Sequence, residues 1–425
     1  MTKTKWMLWL TLFLVVSLLF AACVSDNNTD ANIDTDTEQN ANYPSAAIGL
    51  IDLPTDTVRL GFIGPITGAD AAEGIAARNA FMLAIDQINE SAELPFTIEV
   101  VPVDSQSSSR IALMGVEKLL ADELMVAVVG FWNAEAAAAA IPKFIEHEVP
   151  LIIWGAVAEQ LTQYEYLPWV LRTIPSIAQE SAYLSNFVVD ELGFEDWFLV
   201  ADSSLDGESA LAAFKYELLA RDLEPLGIAL VSEDDLDLSL LVQEIQASGA
   251  RAVFSGANAN LTALIQAEFA ELTLNNIFFC TISTIRNDNY LYLAGEAAEG
   301  LLFAMPGLIL AEEQAGRQFL TEYTVRNLDE PIASFTPYAY EAALIIFAAL
   351  RTLDEVTPQA LAEQILVGEA WGLMGRTTFD ENGQTTNAVF HLQVVQDGRW
   401  MVYKYSEYYS GERRFGGQIR FDNLN

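Results

Sequence analysis

The chain has 425 residues, 52% hydrophobic and 19% charged, with 59 acids against 21 bases and a formal charge of −38. This describes a globular protein with room for two domains, each with a sizeable core. So acidic a surface repels phosphate backbones and anionic membrane surfaces, which argues against nucleic acid as a partner.

The chain opens with Lys3 and Lys5, then an apolar run, Trp6–Phe20, interrupted only by Thr11 and Ser17. That run is short for a membrane span and has the layout of an export signal. It ends in Leu19-Phe20-Ala21-Ala22-Cys23. Small residues before a cysteine resemble the lipobox of bacterial lipoproteins. The resemblance implies cleavage after residue 22 and a lipid on Cys23, with a plain secretory signal as the alternative. Residues 1–22 are read as the signal peptide. Residues 23–57, polar, acidic and poor in apolar side chains, are read as a flexible tether. The other cysteine, Cys280, follows Ile277-Phe278-Phe279 and is expected to be a buried thiol.

From Val58 the pattern alternates between strand and helix. Val58, Leu60, Phe62 and Ile63 form an apolar strand that stops at Gly64-Pro65, and a helix is expected from about Ile75. A strand over Phe96–Val103 and a helix over Arg110–Ala121 follow. Then come a buried strand, Met125–Val129, a helix, Ala134–His147, and strands Leu151–Trp154 and Trp169–Thr173. Ile174-Pro175-Ser176 reads as a break. A second series begins there, with helices over Glu180–Leu192, Glu208–Arg221, Ser239–Ser248 and Asn260–Leu272. Its strands are Trp197–Ala201, Leu226–Val231, Arg251–Ser255, Ile277–Cys280 and Leu301–Met305, with a loop over Thr281–Asn289. Pro306-Gly307 is a second break, before helices at Gly316–Asn327, Tyr338–Thr352 and Pro358–Val367. Arg376–Thr378 is a third candidate crossing. Ala388–Val395 and Arg399–Tyr405 are read as a hairpin turning on Asp397-Gly398. Regular alternation gives α/β architecture with doubly wound parallel sheets. Ligands of such sheets sit beyond the carboxyl ends of the strands, so the turn Gly64–Gly74, with Thr67 in it, is the first candidate for a site.

Several segments together carry a family resemblance. They are Gly61–Gly68, Ala84–Asn89, Val129-Gly130, Val149–Ile152, Leu161-Thr162, Gly295–Gly300, Tyr338–Ala342 and Thr378–Gly383. In this order and spacing the chain resembles the branched-chain amino-acid-binding (leucine-binding-like) solute-binding proteins of ABC importers, with the type I periplasmic-binding fold. The resemblance implies two lobes joined by three crossovers. Lobe one spans 55–173 plus 305–376, and lobe two spans 174–304 plus 377–425. It also implies a monomer that closes on a small solute and meets ABC permease subunits, anchored by lipid to the outer face of the cell membrane. No cofactor is implied.

In relatives that bind α-amino acids, a Ser after the third strand and a Thr after the fourth hold the carboxylate. Here the turns read Phe131-Trp132-Asn133-Ala134-Glu135 and Trp154-Gly155-Ala156-Val157-Ala158. Asn133 or Ala134 stands near the Ser, Val157 stands for the Thr, and both hydroxyls are missing. The acid of lobe two that meets the amine is replaced by Ser283, and the aromatic of a Tyr-Gly turn by Asp206. Glu73, Glu135 and Asp206 are expected near the cleft mouth, with Trp132 and Trp154 at strand ends. Carboxylates beside Trp faces suit a cationic or neutral-polar solute, and cation–π contact reaches about 2 kcal/mol when desolvated. The bland reading is chance acids in an acidic protein and core tryptophans.

His147 and His391 are the only histidines, and no P-loop, Gly-x-Ser-x-Gly elbow or metal-ligand cluster is present. An enzyme is therefore not expected. A ligand-sensing module without transport is the alternative to an importer component.

Overall fold

This computed structural model describes residues 57–232, 238–274, 276–326, 328 and 330–418. The signal segment, Cys23 and the tether up to residue 56 lie outside them, and Thr57, read as the tether's last residue, opens the first strand. No helix among the described residues is long and apolar enough to cross a membrane.

The first sheet is built from β1 (Thr57–Gly64), β2 (Thr97–Asp104), β3 (Met125–Val129), β4 (Leu151–Ile153) and β5 (Val170–Arg172). Its order is β2-β1-β3-β4-β5, all parallel. Helices α1 (Ala71–Ser91), α2 (Ser109–Leu120) and α3 (Ala134–His147) connect the first four strands. The central strand β3 is buried at all five positions, as a parallel strand covered on both faces must be. Helix α1 begins at Ala71, a full turn ahead of the expected Ile75. Gly74 permits this: a Cβ there would stand 1.9 Å from the Pro65 carbonyl oxygen.

The second sheet follows α4 (Ile177–Ser185), with β6 (Trp197–Ala201), α5 (Leu205–Leu219), β7 (Gly227–Leu230) and α6 (Ser239–Ser248). Then come β8 (Ala252–Ser255), α7 (Ala259–Glu271), β9 (Phe278–Thr281), α8 (Asp288–Ala294) and β10 (Leu302–Pro306). Helix α4 ends at Ser185, and a wider π-helical stretch, Asn186–Glu191, completes what the sequence presents as one helix. Helix α8 occupies part of the expected loop; Asn287 caps it through the Tyr290 N–H.

After β10 the chain returns to the first lobe as α9 (Gln314–Val325), α10 (Thr336–Leu350) and α11 (Pro358–Val367). Helix α10 packs on α1 and α11 on β3. A small hairpin, β11 (Ala370–Gly372) with β12 (Gly375–Thr377), was not visible in the sequence. The buried Glu341 carboxylate holds it by accepting from Leu373 N (2.7 Å), Met374 N (3.4 Å) and Thr377 Oγ1 (3.2 Å). The chain then adds β13 (Phe390–Gln396) and β14 (Arg399–Val402) to the second sheet, whose order is β14-β13-β10-β9-β8-β6-β7. Asp397 and Gly398, with φ of +52° and +69°, form the two-residue turn between them. Cys280 is buried in β9.

The chain thus passes between the sheets three times: after Arg172, after Pro306 and between Thr377 and Phe390. Buried Arg172 ties two of these passages together. It donates from Nε to Gln384 Oε1 (2.5 Å), from Nη1 to Ala158 O (2.5 Å) and from Nη2 to Thr162 Oγ1 (3.3 Å). Gln384 in turn donates to Ile174 O (2.9 Å).

Candidate functional site

The segments after β3 and β4 meet helix α5 of the second lobe, and the turn after β9 meets the segment before α10 of the first. Glu135, in the first turn of α3, accepts from Leu205 N at the start of α5 (3.1 Å). Glu159 N donates to Ser209 Oγ (3.2 Å), which donates to Gln160 Oε1 (2.7 Å). Arg286 donates from Nη1 to Ser334 Oγ (3.2 Å), and Ser334 Oγ donates back to Arg286 O (3.3 Å). The lobes are therefore closed on one another.

Several backbone amides at the turns after β1, β6, β8 and β9 are taken up by the protein's own carboxylates. Asp104 accepts from Ile66 N (2.8 Å), Thr67 N (3.2 Å) and Thr67 Oγ1 (2.6 Å). Burial acts to raise the Asp104 pKa, but the hydrogen bonds from Thr67, Ile66 and Gln106 hold it below the usual range. Asp202 accepts from Ser204 N (3.0 Å) and, through its other oxygen, from Asn258 N (2.8 Å). Glu180, in the first turn of α4 and 1% exposed, accepts from Ser283 N (2.6 Å) and Ser283 Oγ (2.8 Å). Burial pushes its pKa up to about 8 against those bonds, and the field of Asp206 adds to the rise.

Two carboxylates are less complete. Glu73 Oε1 accepts from Ser334 N (3.4 Å), while its Oε2 is sealed from solvent with no partner. Burial raises its pKa to about 7, opposed by the Ser334 amide and the Arg286 charge. Asp206 Oδ1 is likewise enclosed and unpartnered. Burial and the neighbouring Glu135 push the Asp206 pKa up to about 7, with Arg172 opposing and Asp202 assisting. Each leaves one enclosed carboxyl oxygen without a hydrogen-bond partner, which costs free energy in a closed interior.

The expected site residues divide. Glu73, Glu135 and Asp206 come to this boundary, and Trp132 is half-buried there, its ring 5.2 Å from that of Phe335. Trp154 does not offer a face. It is fully buried, stacked 6.0 Å from Phe62 on one side and 6.0 Å from Trp132 on the other, with Nε1–H donating to Ile63 O (3.3 Å). The pleat explains this. Trp154 lies two positions after Ile152, so both point into the same core, while Ile153 points into the other. The hydroxyl of Thr67 is spent on Asp104 and braces the β1 turn. Ala134, Ala156 and Val157 are buried. Ser283 is buried beneath Glu180. Asn133 caps α3, its Oδ1 accepting from Ala136 N (2.9 Å). Asn133→Ala is expected to lower stability by about 1 kcal/mol, read as a shift of the urea unfolding midpoint. Glu180, Arg172 and Arg286 escaped the sequence reading. The available signal was a charge inside an apolar pattern: Glu180 among Ile177, Ser181 and Leu184, and Arg172 after Val170-Leu171.

A hollow of about 800 Å³, lined by residues including Tyr164, Glu165, Ser209 and Tyr216, also lies on the lobe boundary. None of the turn residues just described lines it except Glu159, Gln160 and Ser209. Among the described residues no group of three or more His, Cys, Asp or Glu is arranged to hold a metal ion.

Two doubly wound sheets closing on each other through the carboxyl ends of their strands define a bilobal ligand-binding protein of the type I periplasmic-binding fold. The profile of the periplasmic binding protein family matches residues 57–399, and the chain belongs to that family. The leucine-, isoleucine-, valine-, threonine- and alanine-binding protein of Pseudomonas aeruginosa is 22% identical over 351 residues, covering 81% of this chain and 91% of its own. A leucine-binding protein from Thermotoga maritima has a TM-score of 0.71 at 19% identity, covering 81% of this chain and 97% of its own. A solute-binding protein of an ABC transporter from Rhodopseudomonas palustris, solved with 3,4-dihydroxybenzoic acid, has a TM-score of 0.68 at 22% identity, covering 81% and 95%. These relatives are binding proteins, not enzymes.

Proposed function

We propose that this protein is the solute-binding component of an ABC importer. It is held at the outer face of the cell membrane by lipidated Cys23, and it carries a small polar solute, amino-acid-like or cationic, between its lobes. The observation that carries the reading is the closure of the two lobes through the strand-end turns, within a family match spanning both lobes. The turns holding Glu73, Trp132, Val157, Asp206 and Ser283 are assigned to the ligand site. Closure by ligand selects one of two lobe arrangements, and the permease reads the closed one. The names of the curated relatives, which bind leucine, isoleucine and valine, support an amino-acid-like solute.

Native mass spectrometry of the purified protein is expected to show a co-purified small molecule. Stripping it should enlarge the radius of gyration in X-ray scattering, and adding it back should reverse the change. Identical scattering profiles with and without it would remove the reading.

A further inference from the structure

Resting on the reading of two lobes that open and close, we infer that His391 is a proton-operated catch on the closed form. Neutral, it holds Arg286 in place for the first lobe; protonated, it releases it. His391 lies on β13, two residues from Gln393 and on the same face of the strand. Its Nδ1 is 2.8 Å from the carbonyl oxygen of Gly307, which follows Pro306 in the second passage between the lobes. Its Nε2 is 3.1 Å from Nε2 of Gln393. Gln393 Oε1 accepts from Arg286 Nε (3.1 Å), and Arg286 Nη1 donates to Ser334 Oγ of the first lobe (3.2 Å).

Both ends of this chain run one way. A carbonyl oxygen only accepts, so His391 Nδ1 carries the hydrogen. A guanidinium only donates, so Gln393 turns its oxygen to Arg286 and its amide nitrogen to His391. His391 Nε2 must then accept, which only the neutral ring can do. A proton on Nε2 sets two donors against each other. Turning the Gln393 amide over satisfies the imidazolium but faces its –NH2 group to the Arg286 Nε–H. Arg286 then loses its acceptor, and with it the brace that holds its fork against Ser334.

The charges around the ring set the direction. Facing His391 are Arg286 and Lys404 of the second lobe, Glu312 of the first, and the Gly307 carbonyl. Burial pushes the His391 pKa below its usual value against the Gly307 bond, and the Arg286 and Lys404 charges add to the fall, opposed by Glu312. Glu312 is itself engaged by Lys404 Nζ (2.5 Å). Opening parts Arg286 from Ser334 and admits water, so the open form takes the proton more readily. The closed form therefore has its full advantage above about pH 6.5 and loses it as pH falls.

The chain has two histidines, so His147→Gln leaves one imidazole to observe. Long-range proton–nitrogen correlation spectra of that variant at pH 7.5 should show hydrogen on His391 Nδ1 and none on Nε2. X-ray scattering of the protein as purified should give a larger radius of gyration at pH 5.5 than at pH 7.5. His391→Gln keeps a donor and an acceptor but cannot gain a proton, and should lose most of that expansion. Gln393→Glu should lose it too, because a carboxylate accepts from imidazolium and guanidinium together, while raising the His391 pKa by at least about one unit. Carboxylates that titrate in the same range act in parent and variants alike, so the difference isolates His391. Hydrogen on Nε2 at pH 7.5, no expansion in the parent, or equal expansion in the parent and both variants overturns the inference. If a small molecule co-purifies in that case, the solute-binding reading stands without it. If the expansion follows His391 but no molecule co-purifies, the catch stands and the solute-binding reading falls.

Discussion

Replacing Arg172 with alanine is expected to cost about 3–5 kcal/mol of stability, because it opens a cavity and leaves buried acceptors unsatisfied at about 1–3 kcal/mol each. The guanidinium is fully buried, and burial pushes its pKa down to about 10 against the fields of Glu159, Asp206 and Asp380. Its removal leaves Ala158 O and Gln384 Oε1 without their donor, and it strips Asp206 of the one cation opposing its like-charged neighbours. The loss also reaches the third passage between the lobes, because Gln384 is held from one side by Arg172 and itself holds Ile174 O. Urea unfolding at pH 7 would measure the loss. Limited proteolysis should show faster cleavage within 378–389, a readout that a general loss of core packing would not single out. Arg172→Lys is expected to recover only part of the stability, since one ammonium cannot reach three acceptors spread around a planar fork. A midpoint for Arg172→Ala within about 1 kcal/mol of the parent would show that the desolvation of the guanidinium cancels what its hydrogen bonds contribute.

What the sequence disclosed and what it concealed follow from the range of the forces involved. Met125–Val129, Ala134–His147, Ser239–Ser248 and Pro358–Val367 lie where apolar period and end signals put them. Their determinants are local: Asn133 and Thr357 cap the following helices, and Pro358 starts one. The hairpin Ala370–Thr377 was hidden because the carboxylate that holds it, Glu341, sits some thirty residues away in sequence. Trp154 was misplaced for a subtler reason. Its position just past a strand end suggested an exposed turn, but the alternation of faces set by Leu151–Ile153 carries one residue further, and the ring follows Ile152 inward. The acidic character of the site was legible from Glu73, Glu135 and Asp206. That amides around it are closed by Asp104, Asp202 and Glu180 was not, because each pairing joins distant segments of chain.

Glu180→Gln should make the protein more stable at pH 8 and leave it nearly unchanged at pH 5. Below about pH 4.5 the folded and unfolded chains both hold the Glu180 proton. Between there and about pH 8 only the folded chain holds it, so folding binds a proton and stability declines as pH rises. Each pH unit of that window costs about 1.4 kcal/mol, so the window as a whole is worth on the order of 4–5 kcal/mol. Water entry and local relaxation reduce it, and a gain of about 2 kcal/mol for the variant at pH 8 is expected. Glutamine suits the position. Its carbonyl oxygen accepts from Ser283 N as the carboxylate does, and its amide donates to Ser283 Oγ, which turns from donor to acceptor. Glu73, Asp206 and Glu341, each raised by burial to about 7, should tilt the parent protein's stability the same way, toward acid. Urea midpoints for parent and variant at pH 5, 6.5 and 8 separate this single group from the rest, because only the difference between the two proteins isolates Glu180. A difference that stays flat across the series would mean that Glu180 is already ionised in the folded protein. The Ser283 donors would then outweigh burial, and Glu180 would carry its negative charge inside the protein at neutral pH.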